Sequence, residues 1–115
     1  MNWTTICAFE ALPPERGVCA LVEGAQVAIF RTYEDEVYAL GNLDPFSGAY
    51  VLSRGIVGTR LGEPTVASPL HKQVFSLATG RCLDDASVSV PRYAVRVGVG
   101  GHVEVSLEQR VEVGV

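Results

Sequence analysis

Apolar and polar residues alternate in short runs along the whole chain, and the runs are broken by Gly, Pro and Asp. Val18-Cys19-Ala20-Leu21-Val22, the Glu23-Gly24 pair and Gln26-Val27-Ala28-Ile29-Phe30 read as a β-hairpin, two apolar runs joined by a glycine turn. Glu36-Val37-Tyr38-Ala39-Leu40 predicts the next strand. Thr65-Val66-Ala67 and Val74-Phe75-Ser76-Leu77 predict two more around Ser68-Pro69-Leu70-His71, and Ala78-Thr79-Gly80-Arg81 predicts a tight turn. Near the end, Tyr93, Val95, Val97 and Val99 alternate with Ala94, Arg96 and Gly98. After Gly100-Gly101, Val103, Val105 and Leu107 alternate with His102, Glu104 and Ser106. A period of two puts successive side chains on opposite faces, so these are expected to be strands with one face inward and one wet. No window has a sustained helical period; at most Val51-Leu52-Ser53-Arg54 forms a helical turn. Gln109 to Val115 either adds an edge strand or frays. Short strands joined by short turns predict an all-β chain, an antiparallel sandwich or barrel.

One stretch breaks the rhythm. From Gly41 to Pro64 the pattern is irregular and holds Asn42-Leu43-Asp44-Pro45-Phe46-Ser47-Gly48, then Ser53-Arg54-Gly55 and Gly58. It is expected to be a long loop that, with a second loop at 68–73, forms a tip at one end of the strands. Long loops on a rigid β-scaffold are where binding usually resides.

Composition narrows the partners. A length of 115 residues fits a single domain over 1–115, and an apolar share of 48% can close a core without disulfides. A net charge of −4 argues against broad nucleic-acid or anionic-membrane binding, which need a basic face. No apolar run approaches the ~20 residues of a membrane span, and the N-terminus carries no signal-peptide pattern. Cys7, Cys19 and Cys82 are odd in number and share no CxxC spacing, which predicts reduced, buried thiols in a cytoplasmic protein. Gly98-Val99-Gly100-Gly101 lies between strands with no helix after it, so a hairpin turn is expected there, not a phosphate cradle. No nucleophile–base pair or catalytic acidic pair is evident.

The order of these features resembles the Rieske domain. A strand runs into Asn42-x-Asp44, a long loop follows, and a second strand runs into Ser68-Pro69-Leu70-His71 and Val74-Phe75. That family holds a two-iron cluster between a C-x-H pair and a C-x-x-H pair. The resemblance places those four positions on Asn42, Asp44, Ser68 and His71, and only His71 is of the ligand type. Iron–sulfur irons need thiolates; Asn42 offers a neutral amide, Ser68 a protonated hydroxyl and Asp44 a hard carboxylate. The expected cofactor content of the chain is therefore none, and His71 is read as a surface or hydrogen-bonding residue. Asp44, before Pro45, is read as a turn-former that accepts backbone N–H bonds from its own loop.

Within that fold, Asn42-Leu43-Asp44-Pro45-Phe46, Val51-Leu52-Ser53-Arg54-Gly55 and Ala67-Ser68-Pro69-Leu70-His71-Lys72-Gln73 are similar to the small subunits of assimilatory NADH-dependent nitrite reductases. Trp3…Ile6-Cys7, Gly17 to Leu21 and Gln26 to Arg31 are similar as well. The resemblance implies a cytoplasmic complex reducing nitrite to ammonium in nitrate assimilation. Its large subunit would carry FAD, sirohaem and a four-iron [4Fe-4S] cluster and bind NADH; the small subunit would position it and not be catalytic alone. The alternative is a true Rieske-type ferredoxin carrying electrons to an oxygenase or reductase. Leu43, Pro45, Phe46, Arg54, Pro69, Leu70, His71 and Lys72 form the expected docking surface, an apolar patch with a basic rim. Tyr50, Val51 and Leu52 are expected either to pack the loops together or to join the patch, and Arg60 to join the rim.

Overall fold

A computed structural model of the chain describes residues 2–109. It is all-β. The strands are β1 (Thr4–Ala8), β2 (Arg16–Val22), β3 (Ala25–Arg31), β4 (Val37–Gly41), β5 (Ile56–Arg60), β6 (Glu63–Ala67), β7 (Val74–Ser76), β8 (Arg92–Val97) and β9 (His102–Gln109). Single 3₁₀ turns occupy Phe9–Ala11 and Leu52–Arg54, the second at the place where a helical turn was expected. Two antiparallel sheets result: a six-stranded sheet ordered β1-β9-β8-β4-β3-β2 and a three-stranded sheet ordered β5-β6-β7. Among the described residues no helix is long and apolar enough to cross a membrane. The expectation for residues 110–115 lies outside the described residues.

The predicted hairpin forms: β2 pairs β3 from Arg16–Arg31 to Val22–Ala25, with Glu23 and Gly24 turning at positive φ. Its second strand departs from the half-wet pattern. Val27, Ala28, Ile29 and Phe30 are all fully buried. Ala28 and Phe30 face one apolar cluster with Leu40, Leu52, Val66, Phe75, Leu77, Cys82 and Val90. Val27 and Ile29 face another with Leu12, Val22, Ala39, Val103 and Val105. β3 and β4 thus form the wall between two cores, and a strand packed on both faces reads as a continuous apolar run. Along β9 the alternation holds for Val103 and Val105, which are buried. In β8 the buried residue is Ala94, and the expected inward positions Val97 and Val99 are exposed at the hairpin end.

The stretch 41–64 is not one loop. It holds β5 and the first residues of β6, which pair from Ile56–Ala67 to Arg60–Glu63 around a Leu61-Gly62 turn. β5 gives no alternation because nearly all of it is exposed. The true first loop is the shorter segment 42–55. It can lie flat on the scaffold because Gly17 and Gly55 have no side chain: a Cβ at Gly17 would sit 2.6 Å from the Ser53 carbonyl oxygen, and one at Gly55 would strike the Ala67 carbonyl.

The cysteines also differ from expectation. Only Cys82 is buried; Cys7 in β1 is half-buried and Cys19 in β2 is exposed. Arg60 is engaged by Asp84 at 3.0 Å and does not rim the tip.

Candidate functional site

β4 delivers Asn42 and Asp44 to the start of the first loop, and β6 delivers Ser68 to the start of the second. All three side chains are buried, and each is consumed in hydrogen bonds. The Asn42 side-chain oxygen accepts the Ser53 N–H at 2.7 Å, and its amide donates to the Tyr50 carbonyl at 3.2 Å and Gln26 Oε1 at 3.1 Å. It also lies 3.5 Å from Cys19 Sγ. The Leu52 N–H donates to the Asn42 carbonyl and the Asn42 N–H to the Gln26 carbonyl. Asn42 is therefore a brace that folds the first loop back onto β3.

Asp44 joins the two loops. Its Oδ2 accepts the Ser68 hydroxyl at 2.6 Å, and its Oδ1 accepts the Phe46 N–H at 2.9 Å, closing a turn over Pro45. Its backbone clasps the same loop, N–H to the Ala49 carbonyl and carbonyl to the Gly48 N–H, both at 2.8 Å. Burial pushes the Asp44 carboxyl up, but the hydrogen bonds from Ser68, the Phe46 N–H and Ser47 outweigh it. The group sits below its ordinary range and is charged at neutral pH. The turn-forming role read from sequence is what Oδ1 performs. The bond to Ser68 was not legible.

The second loop is as compact. Ser68 Oγ also accepts the Leu70 N–H, its backbone N–H donates to the Gln73 carbonyl at 2.9 Å, and its carbonyl accepts the Lys72 N–H at 3.1 Å. Lys72 turns the chain at φ 62°, and His71 before it is exposed at the apex.

These side chains do not fit a two-iron cluster. Both Asp44 oxygens, the Asn42 amide and the Ser68 hydroxyl are committed to one another, to the Gln26 side chain or to backbone, and none is a thiolate. Cys7 and Cys82 lie on β1 and after β7, and burial pushes the Cys7 thiol up, away from its anionic form. Cys19 on β2 reaches the Asn42 amide, but it is one thiol where the cluster takes two. Among the described residues no group of three or more His, Cys, Asp or Glu could hold a metal ion. His71 is exposed at the loop apex, whereas Asp44 is buried and hydrogen-bonded through both carboxylate oxygens.

The outer face of the same loops is different. Leu43, Pro45, Phe46, Arg54, Pro69, Leu70, His71 and Lys72 are all exposed. Leu70 shows 53% of its surface and Phe46 36%, while the inner edge of the Phe46 ring meets buried Phe75 with centroids 6.2 Å apart. Leu52 belongs wholly to the core. Sequence reasoning missed Gln26, Tyr50 and Ser53 as partners of Asn42; the one trace is a polar Gln26 at the head of an otherwise apolar run.

A family model described as the Rieske-like [2Fe-2S] domain matches residues 2–106. The small subunit of the NADH nitrite reductase of Escherichia coli K12 is 50% identical over 100 residues, which are 86% of this chain and 93% of that one. An NAD(P)H nitrite reductase large subunit of Klebsiella oxytoca is 45% identical over 98 residues, 85% of this chain but 10% of that one. The crystal structure described as an NADH-dependent nitrite reductase small subunit from Mycobacterium tuberculosis superposes with a TM-score of 0.89 at 53% identity, covering 97% of each chain. With a hydrogen-bonded tip on this two-sheet scaffold, this chain belongs to the Rieske-like [2Fe-2S] domain family, among the small subunits of NADH-dependent nitrite reductases.

Proposed function

We propose that the chain is a subunit without a redox group of its own, which docks by its tip onto the large subunit of a nitrite reductase and holds that subunit in its working arrangement. The reaction served is the NADH-dependent reduction of nitrite to ammonium. In this reading FAD, sirohaem and the four-iron cluster all reside in the large subunit, and the complex works in the cytoplasm. One observation carries it: the loops that a cluster would join are joined instead by Ser68 and Asp44, while their outer residues present apolar surface to solvent. An exposed apolar patch with a rim of Arg54 and Lys72 is the form of a partner surface. The Klebsiella oxytoca relative adds support, because there a similar domain is part of a large-subunit chain. The electron-carrying alternative requires thiolate donors that this site lacks.

Co-expression of the chain with its large subunit tests the reading. Co-purification is expected, with NADH–nitrite activity reduced when this chain is omitted. Failure to co-purify, together with unchanged activity on omission, overturns it.

A further inference from the structure

Beside the tip, on the flank of the six-stranded sheet, lies an open groove of about 390 Å³. Its walls are mainly apolar, built from Leu21, Leu43, Pro45, Tyr50, Pro91 and Tyr93. Leu21 and Tyr50 leave 72% and 56% of their surfaces in solvent. Leu43 and Pro45 also belong to the tip, so groove and tip form one continuous surface. Among the described residues no Asp, Glu, Lys, Arg or His lines the groove. A charged segment entering it would lose hydration without a partner, so the complementary ligand is uncharged and apolar.

The groove is held in shape by the scaffold. The Gly41 N–H donates to the Pro91 carbonyl at 2.9 Å, tying the β4 wall to the segment before β8. Asn42 fixes Gln26 and the Tyr50 carbonyl from below. Such a surface needs little ordering on binding, which favours affinity.

Chain connectivity indicates what covers it. In the Klebsiella oxytoca relative the matching segment is 10% of a large-subunit chain, so most of that chain lies outside the domain. The rest must join near one end of the domain or the other. β1 begins at Thr4 beside β9, and β9 ends at Gln109 opposite Tyr93, a wall of the groove. The β9 end lies on the strand next to β8, whereas β1 is one strand further out at the sheet edge. A chain joined at the β9 end therefore keeps its large-subunit part at high effective concentration on the side that carries the groove.

We propose that the groove takes an uncharged, apolar segment of the large subunit, a second contact beside the tip. The proposal rests on the docking reading above. It assigns Leu21 and Tyr93, which lie outside the expected docking set, to the interface, together with Tyr50.

Calorimetric titration of the purified large subunit with the full chain tests it, using wild type, the groove variants Leu21→Glu and Tyr50→Ser, and the tip variant Leu70→Glu, each checked for folding by thermal melting. Both groove variants are expected to weaken binding about tenfold, the loss typical of an interface anchor. If wild type binds, Leu70→Glu is impaired and the folded groove variants bind normally, the groove is overturned and the tip reading stands. If wild type does not bind at all, the tip reading fails and the groove with it. Should Leu21→Glu unfold, Tyr50→Ser decides, since Tyr50 serves the fold through its backbone, in the bridge to Leu43 and the carbonyl held by Asn42. Self-association of the wild type that Leu21→Glu abolishes, with large-subunit binding unchanged, assigns the groove to a second copy and overturns the proposal.

Discussion

The inside and the outside of the tip are built from neighbouring residues of the same two loops. Asn42 and Asp44 point in and are 2% and 0% exposed, whereas Leu43 and Pro45 beside them face solvent. Ser68 is 1% exposed, and the four residues after it, Pro69 to Lys72, are all exposed. The inner set is polar yet buried, and is stable there because every group has a partner. The outer set is largely apolar yet wet. Each set sits in the environment its composition disfavours. The inner residues therefore act on the shape of the tip and the outer ones on what it touches.

Variants that separate stability from association test this division. The largest effect is expected inside. Asp44→Ala removes a buried carboxylate and leaves the Ser68 hydroxyl and the Phe46 N–H without an acceptor, so it should lower unfolding stability by about 3 kcal/mol, read by denaturant titration. Outside, Phe46→Ala with Leu70→Ala should weaken binding to the large subunit about tenfold while the free domain keeps its circular dichroism. Collapse of the fold instead would assign these side chains to the core, to which Phe46 is already tied through Phe75.

A smaller effect follows from the Asp44 carboxyl. Its folded value is held below the ordinary 3.8, so the folded state releases its proton more readily than the unfolded chain. That contribution is fully present above the ordinary value and is lost as pH falls through the folded one. Ser68→Ala removes the first of the hydrogen bonds that hold the carboxyl down. The stability gap between wild type and Ser68→Ala should therefore be constant above roughly pH 5 and shrink below roughly pH 4, in urea melts across that range. The smallest effect belongs to His71→Ala, which touches no inner group and should change stability by less than about 0.5 kcal/mol.

The scaffold was readable wherever strands alternate or run apolar, as in the β2–β3 and β8–β9 hairpins. β5 was hidden because its exposed face leaves no period in Ile56-Val57-Gly58-Thr59-Arg60, and the loop before it was consequently drawn too long. Exposure of Cys19 was unreadable for a similar reason: in an apolar run, only the fold decides which face is wet. At the tip, the turn at Asp44 was legible from the Asp-Pro pair. The brace at Asn42 was not, because its partners Tyr50, Ser53 and Gln26 are 8, 11 and 16 residues away in sequence. The bond between Asp44 and Ser68 spans 24 residues and two strands, and no local pattern encodes it.

The central claim is that hydrogen bonds have taken the place of the cluster in this tip. Anaerobic purification, followed by reconstitution with ferrous iron and sulfide and by iron analysis with reduced-state EPR, tests it most directly. A colourless chain with no bound iron and no signal is expected; two irons per chain with a reduced-cluster EPR signal would overturn the claim.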